Sequence, residues 1–170
     1  MKVSVIVPVL NEASSIAATL APLHDARSKG HEVILVDGGS TDGTPELARP
    51  LIDLVITSPA GRARQMNTGA QAASGEVFWF LHADTLAPVD AVEQINAALA
   101  DGKRCWGRFD VRLSGSSWPF RIIEKAMNLR SALTGIATGD QGIFVTRQAF
   151  ESVSGFSDIP LMEDIELSKG

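Results

Sequence analysis

Val33-Ile34-Leu35-Val36-Asp37-Gly38-Gly39-Ser40-Thr41-Asp42-Gly43-Thr44 is the segment on which the fold turns. Four apolar residues bounded by turn formers read as a buried strand. They end at the acidic Asp37, and a loop rich in glycine and hydroxyl groups follows before Pro45 opens a helix. Ligands of open α/β sheets sit outside the carboxyl ends of the strands. A loop carrying Gly38, Gly39 and Gly43 has little bulk, so its backbone can come close to a bound molecule. The stretch is expected to form half of a nucleotide site.

Upstream, residues 3–10 are short and β-branched, which predicts a buried strand in which Pro8 gives up one backbone donor. Asn11 and Glu12 stand at its end. Ile16, Leu20 and Leu23 recur at helical spacing over residues 13–28, and Gly30 lies where a helix C-cap favours glycine. A strand, helix and strand joined this way predict a parallel pair. Downstream the alternation continues. A short helix over Pro45 to Arg49 precedes a strand at Leu54-Val55-Ile56. A loop and small-residue helix over 61–73 lead to Gly75 and a strand at 77–81, which ends in His82-Ala83-Asp84. A helix over 89–100 carries Val92, Ile95 and Leu99 on one face. Beyond it, Cys105 to Leu113 predicts a strand near an edge, 118–133 a helix with Phe120, Ile123 and Met127 on one stripe, 143–145 a strand and 147–152 a short helix. No linker, repeat or low-complexity tract interrupts the chain. The expected architecture is one Rossmann-like α/β domain over 1–170, with a mostly parallel central sheet flanked by helices. Residues 1–100 would form its nucleotide-binding half and 101–170 its acceptor and catalytic half.

Composition narrows the function classes. A formal net charge of −5 argues against a nucleic-acid surface, which needs a basic stripe. The lone Cys105 makes no internal disulfide, which fits a reducing, cytoplasmic location. Lys2 leads straight into a strand-like run without a signal-peptide pattern. No apolar stretch reaches the ~20 residues that span a bilayer, so no transmembrane segment is expected. Arg121, Lys125 and Arg130 flank the 118–133 stripe, which leaves three uses open: core packing, a homodimer contact and peripheral contact with a membrane.

Pro8-Val9-Leu10-Asn11-Glu12, Val36 to Thr44, Leu81-His82-Ala83-Asp84 and Glu163-Asp164, in that order, resemble the motifs of family 2 glycosyltransferases with a GT-A fold, most closely the short soluble bacterial members. The resemblance covers essentially the whole chain. It implies transfer of a sugar from a nucleotide-sugar donor, a UDP- or GDP-sugar, to an acceptor whose identity is left open, with inversion and a divalent metal, Mn²⁺ or Mg²⁺. It also implies that Asp37 holds the base, with Pro8, Asn11, Glu12 and Ser40 beside base and ribose. A carboxylate is a natural acceptor for a ring N–H. For Asp37 taken alone, a loop cap is the competing reading. Asp42, before Gly43 and Thr44, is expected to order the loop. Arg62 and Gln65 precede or open a helix, where cations and the helix N-terminus both favour anions; a solvated turn is the other reading.

His82-Ala83-Asp84 departs from the commoner Asp-x-Asp pattern. Asp84 matches the metal-contacting position, where few protein oxygens are needed because phosphates and water complete the shell. His82 takes the place of the first Asp, and three roles stay open for it: a ribose contact, a ligand to a softer metal such as Mn²⁺, and a strand-end residue with no ligand. The resemblance assigns Asp164 as the base that takes the acceptor hydroxyl's proton, with Glu163 in support; an acidic pair at a helix start is the competing account. Gly139, Asp140 and Gln141 resemble the donor and acceptor loop. Trp106 and Trp118 are expected to pack, and His24 and His31 to lie at the surface. Members of the family continue with a basic helix, whereas this chain ends six residues after Asp164 (170 − 164), so the second half is expected to be truncated at its C-terminus. Two other functions stay open: a catalytically silent nucleotide-sugar-binding module and, ranked below it, a nucleotidyltransferase. The latter would place a basic glycine-rich loop where Asn11-Glu12 stand.

Overall fold

A computed structural model describes residues 1–109 and 142–156. Its strands are β1 (Val3–Val9), β2 (Glu32–Asp37), β3 (Leu54–Thr57), β4 (Val77–Phe80), β5 (Trp106–Gly107) and β6 (Phe144–Thr146). Its helices are α1 (Ile16–Leu20), α2 (His24–Ser28), α3 (Thr44–Ala48), α4 (Arg62–Ala72), α5 (Ala91–Leu99) and α6 (Arg147–Ser152). The strands form one sheet in the order β3-β2-β1-β4-β6-β5. The first four are parallel, and β6 runs against both β4 and β5. The expected mostly parallel α/β sheet is therefore present, and the predicted edge strand near Cys105 is β5.

Period-two alternation along the strands sorts the core into two faces. Val3, Val5, Val7 and Val9 of β1 join Leu35, Trp79 and Leu81 with Ile16, Leu20, Ile95 and Leu99 from α1 and α5. Ile6, Ile34, Val36, Phe78 and Phe80 point the other way, against Ala63, Met66 and Ala70 of α4 and Phe150 and Phe156. On that second face a Cβ added to Gly69 would collide with Ile6, so the close seat of α4 on β1 and β2 requires the glycine.

Pro8 is tolerated inside a central strand because of where its missing donor would point. Lys2 and Ile6 accept from Val77 and Leu81, on the β4 side, whereas Val9 accepts from Gly38, on the β2 side. Pro8 belongs to the β4-facing set, beyond the Leu81 bond, where β4 has ended.

The expected helix over 13–28 is corrected. Residues 13–15 form a turn, and the helix breaks into α1, a 3₁₀ turn over Ala21–Leu23, and α2. Pro22 has no N–H to give to the preceding turn and its ring crowds that carbonyl. The end at Gly30 is as expected: Gly30 has φ +88°, its N–H reaches Arg27 O, and that of His31 reaches Ala26 O. His31 is corrected too. It is partly buried, and its Nδ1 accepts the Val3 N–H at 3.0 Å. The expected helix at 118–133, Trp118 and residues 110–113 of the expected edge strand lie outside the described residues.

Candidate functional site

The carboxyl ends of β1 and β2 are level, with Val9 opposite Asp37. The loops that leave them, 10–15 and 38–43, are laced together. The Asn11 N–H donates to Ser40 Oγ at 2.9 Å, and Asn11 Oδ1 accepts from the Thr41 N–H at 2.9 Å. The Glu12 N–H donates to Thr44 Oγ1 at 2.8 Å, and the Ala13 N–H to Asp42 Oδ2 at 2.9 Å. Asn11 adopts φ +57°, a region that asparagine tolerates better than most residues. The Glu12 carboxylate accepts from Ser15 Oγ at 2.8 Å. Asp42 orders the loop as expected: its Oδ1 takes the Thr44 N–H and hydroxyl. Those hydroxyl and N–H donors, Thr44 first and Ala13 next, hold the Asp42 carboxyl below its usual range.

Asp37 is the last residue of β2 and is 6% exposed. Its carboxylate accepts the Gly39 N–H at 3.2 Å and the Ser40 N–H at 3.1 Å, so the loop-cap reading of Asp37 is realised in the fold. An ionised carboxylate offers about four lone-pair sites, so capping does not exhaust it.

Gln65 sits beneath this loop, 3% exposed. Its Nε2 donates to Val9 O and to Val36 O, both at 2.8 Å, bridging β1 and β2 where they end. That leaves the amide nitrogen no hydrogen for a ligand. A Cβ on Gly38 would stand 3.1 Å from Nε2, so the glycine lets the loop lie on the amide. Arg62, at the first position of α4, is exposed. Pro8 is buried in β1, while Asn11 is exposed and Glu12 and Ser40 are partly so.

On the other side of β1, β4 leads into His82, 8% exposed, and Asp84, exposed. Thr19 of α1 donates its hydroxyl to Ala83 O at 2.5 Å and Thr85 N–H donates to His82 O at 3.0 Å, which fix this segment's course. Among the described residues the Asp84 carboxylate has only a 3.5 Å contact from Thr85 Oγ1. It can thus serve a hard cation as an oxygen ligand. Among the described residues no group of three His, Cys, Asp or Glu is gathered to hold a metal unaided. A cation at Asp84 would take most of its oxygens from a bound diphosphate and water. The strand order β2-β1-β4 thus sets Asp37 and Asp84 on either side of β1, at the carboxyl end of the parallel strands. Gly139, Asp140, Gln141, Glu163 and Asp164 lie outside the described residues.

Farther along α4, Asn67 Nδ2 donates to Phe156 O at 2.8 Å and its Oδ1 accepts the Phe156 N–H at 3.0 Å. The roles of Gln65, Thr19 and Asn67 could not be read as structural from sequence. Each depends on a backbone group from a distant segment, and no local pattern marks it. Thr44 was visible only as part of the loop motif.

A family profile described as glycosyl transferase family 2 matches residues 4–152. The chain belongs to glycosyl transferase family 2. Relatives of this family 2 chain include an undecaprenyl-phosphate 4-deoxy-4-formamido-L-arabinose transferase of Aeromonas hydrophila, 30% identical over 82% of the chain and 46% of the relative. A dolichol-phosphate mannosyltransferase of Pyrococcus furiosus is 26% identical over 99% of the chain and 49% of its own length. The family 2 chain therefore spans about half the length of these relatives. Among solved structures, the mannosyltransferase PcManGT of Pyrobaculum calidifontis, in complex with GDP-Man and Mn²⁺, superposes with a TM-score of 0.76 at 28% identity, over 98% of the chain and 50% of that protein. S. aureus TarS shares the fold with a TM-score of 0.78 at 21% identity, over 99% of the chain and 54% of that protein. The expected GT-A architecture holds for this family 2 chain. No helix among the described residues is long and apolar enough to cross a membrane.

Proposed function

We propose that this protein transfers a glycosyl group, with inversion, from a UDP- or GDP-sugar to an acceptor oxygen. The observation that carries the reading is the lacing of the 10–15 and 38–43 loops around Asp37, across β1 from the exposed Asp84. A base ring N–H would meet the unused lone pairs of Asp37, with Asn11, Glu12 and Ser40 on the rim for the ribose. Its fixed carboxylate rejects bases that lack that donor, since a buried acceptor left unpaired is costly. Arg62, at the positive end of α4, attracts the diphosphate. Pro8 and Gln65 shape the floor; Gln65 works by fixing the two strand ends rather than by touching the ligand. His82, after β4, would contact the ribose.

A divalent cation held by Asp84, Mn²⁺ or Mg²⁺, would neutralise charge on the diphosphate as it leaves. Asp164 takes the proton of an attacking hydroxyl, with Glu163 beside it, while Gly139, Asp140 and Gln141 bound the sugar and acceptor. The two relatives named for undecaprenyl phosphate and dolichol phosphate make a polyprenyl phosphate an acceptor to try beside hydroxyl acceptors; its ionised phosphate oxygen attacks without giving up a proton, so the base serves hydroxyl acceptors. A cytoplasmic, peripheral location accords with this chemistry.

The test is a panel of UDP- and GDP-sugars with and without Mn²⁺, read by thermal shift and by nucleoside diphosphate release. A UDP- or GDP-dependent shift that needs Mn²⁺ is expected, together with turnover. Asp84→Ala is expected to abolish the metal dependence. An unchanged Mn²⁺-dependent shift in that variant refutes the metal assignment, and binding without turnover of any donor would instead mark a silent nucleotide-sugar module.

A further inference from the structure

We propose that Thr19 is a positioning residue that holds the metal end of the site in step with its base end; the proposal rests on the nucleotide and metal reading above. Thr19 lies on α1 and is 1% exposed. A threonine inside a helix commonly turns its hydroxyl to the carbonyl one turn back. Here the single hydroxyl hydrogen goes instead to Ala83 O, at 2.5 Å, and Ala83 is joined directly to Asp84. Among the described residues the ladder between β1 and β4 closes at Leu81, whose N–H donates to Ile6 O at 3.0 Å. Asp84 stands three residues further on (84 − 81), past the sheet. There the Thr19 hydroxyl ties the chain to α1, and Ala83 is buried in the same core face as Ile16 and Leu20 of that helix.

The start of the same helix is bonded to the base end. The Ser15 and Ile16 N–H groups donate to Glu12 O at 3.1 and 2.9 Å. The Glu12 N–H in turn reaches Thr44 Oγ1, and the Ala13 N–H reaches Asp42 Oδ2, in the loop that Asp37 caps. One helical turn later the Thr19 N–H donates to Ser15 O at 3.1 Å, and the Thr19 side chain meets Ala83. α1 is therefore bonded to the segments that leave both strand ends, the one beside Asp37 and the one that carries Asp84. A nucleoside diphosphate held by its base at Asp37, and through a cation at Asp84, spans these two ends. The two attachments reinforce each other only as far as their spacing is fixed before the ligand arrives. Thr19 thus acts on the metal end of the bound nucleotide and leaves the base end unchanged.

The experiment uses the full chain and two binding readouts. Mn²⁺ is titrated at a fixed concentration of UDP or GDP, with bound Mn²⁺ followed by electron paramagnetic resonance. Uridine and guanosine, which engage the base end without a diphosphate, are titrated without metal by ligand-observed NMR. Thr19→Val keeps the shape of the side chain and leaves Ala83 O without this donor. Its Mn²⁺ midpoint is expected to rise roughly 10-fold, the lower end of the range for groups that hold a metal ligand without touching the metal. Its nucleoside affinity is expected to stay within about twofold of wild type, since the bonds around Asp37 are untouched. Thr19→Ser keeps the hydroxyl and should keep the wild-type midpoint within about twofold. Thr19→Ala loses the hydroxyl from a smaller side chain and should behave as Thr19→Val does, which covers a valine variant that fails to fold. An unchanged Mn²⁺ midpoint in the variants without the hydroxyl overturns the proposal. So does an equal loss of nucleoside and Mn²⁺ binding, the mark of a residue that merely supports the fold, and so does a raised midpoint in Thr19→Ser. A wild type that binds neither nucleoside, or an Asp84→Ala variant with the wild-type Mn²⁺ midpoint, overturns the nucleotide or metal reading and the role of Thr19 with it. A wild type that binds both probes and needs Asp84, beside unaffected Thr19 variants, overturns the role of Thr19 alone.

Discussion

Replacing Gln65 with methionine separates a support role from a ligand contact. The side chain is 3% exposed and its Nε2 holds Val9 O and Val36 O at 2.8 Å. Methionine has similar length and volume, so cavity and overpacking costs stay small. Val9 O keeps its other donor, the Gly38 N–H at 2.9 Å. The loss is therefore that of two neutral hydrogen bonds, each contributing about 0.5–1.5 kcal/mol net, or about 1–3 kcal/mol together. For a chain of this size, each kcal/mol moves Tm by about 2–4 °C, so a fall of roughly 2–12 °C is expected. Urea unfolding at unchanged m-value measures it directly. Nucleotide affinity in Gln65→Met should weaken only as far as the loop lying on the amide shifts. A variant as stable as wild type whose nucleotide affinity collapses would refute the reasoning, because the amide would then be spent on ligand and not on the strands.

Asp164→Asn should leave the Kd for UDP or GDP with Mn²⁺ within about twofold and lower transfer to a hydroxyl acceptor by about 10²- to 10⁴-fold; full turnover in this variant places the base elsewhere. Acid should loosen the end of the sheet opposite the site in two steps. Burial pushes the His31 imidazole down, and its Nδ1 must stay unprotonated to accept from Val3. The unfolded chain thus takes up a proton that the folded one refuses, and stability falls as pH drops below about 6.5. Burial pushes the Glu32 carboxyl up, but hydrogen bonds from Ser4 and Ser74 outweigh it and hold the group low. Its contribution is full above its ordinary value of 4.5 and is lost as pH falls through the lower folded value. Urea midpoints measured from pH 7.5 to 3 should show both limbs, with His31→Gln flattening the upper and Glu32→Gln the lower; curves that overlay wild type would refute these assignments.

The strands and their mostly parallel arrangement were legible in the sequence because they are written locally. The short apolar, β-branched runs at residues 3–10 and 33–36, turn formers at Gly38 to Gly43 and the crossover lengths each act over a few residues. The end at Gly30 was legible for the same reason. The break at Pro22 was missed because the apolar spacing of Ile16, Leu20 and Leu23 survives a 3₁₀ turn. Asp37 and Asp42 could be singled out by sequence, but whether Asp37 capped its loop depended on where Gly39 and Ser40 pointed their N–H groups. Gln65 read as a nucleotide contact at a helix start, with a solvated turn as the other reading; only the tertiary structure put it under Gly38 between two strand ends. Asn67 carried no signal at all, since its partner is the backbone of Phe156, 89 residues away. Side-chain to backbone bonds between distant segments leave no periodicity and demand no particular partner residue. The sequence by itself therefore determined which chemical groups this protein carries and the strands that bear them. The packing of α4 on β1 and β2 decided which of those groups face a ligand and which hold the others in place.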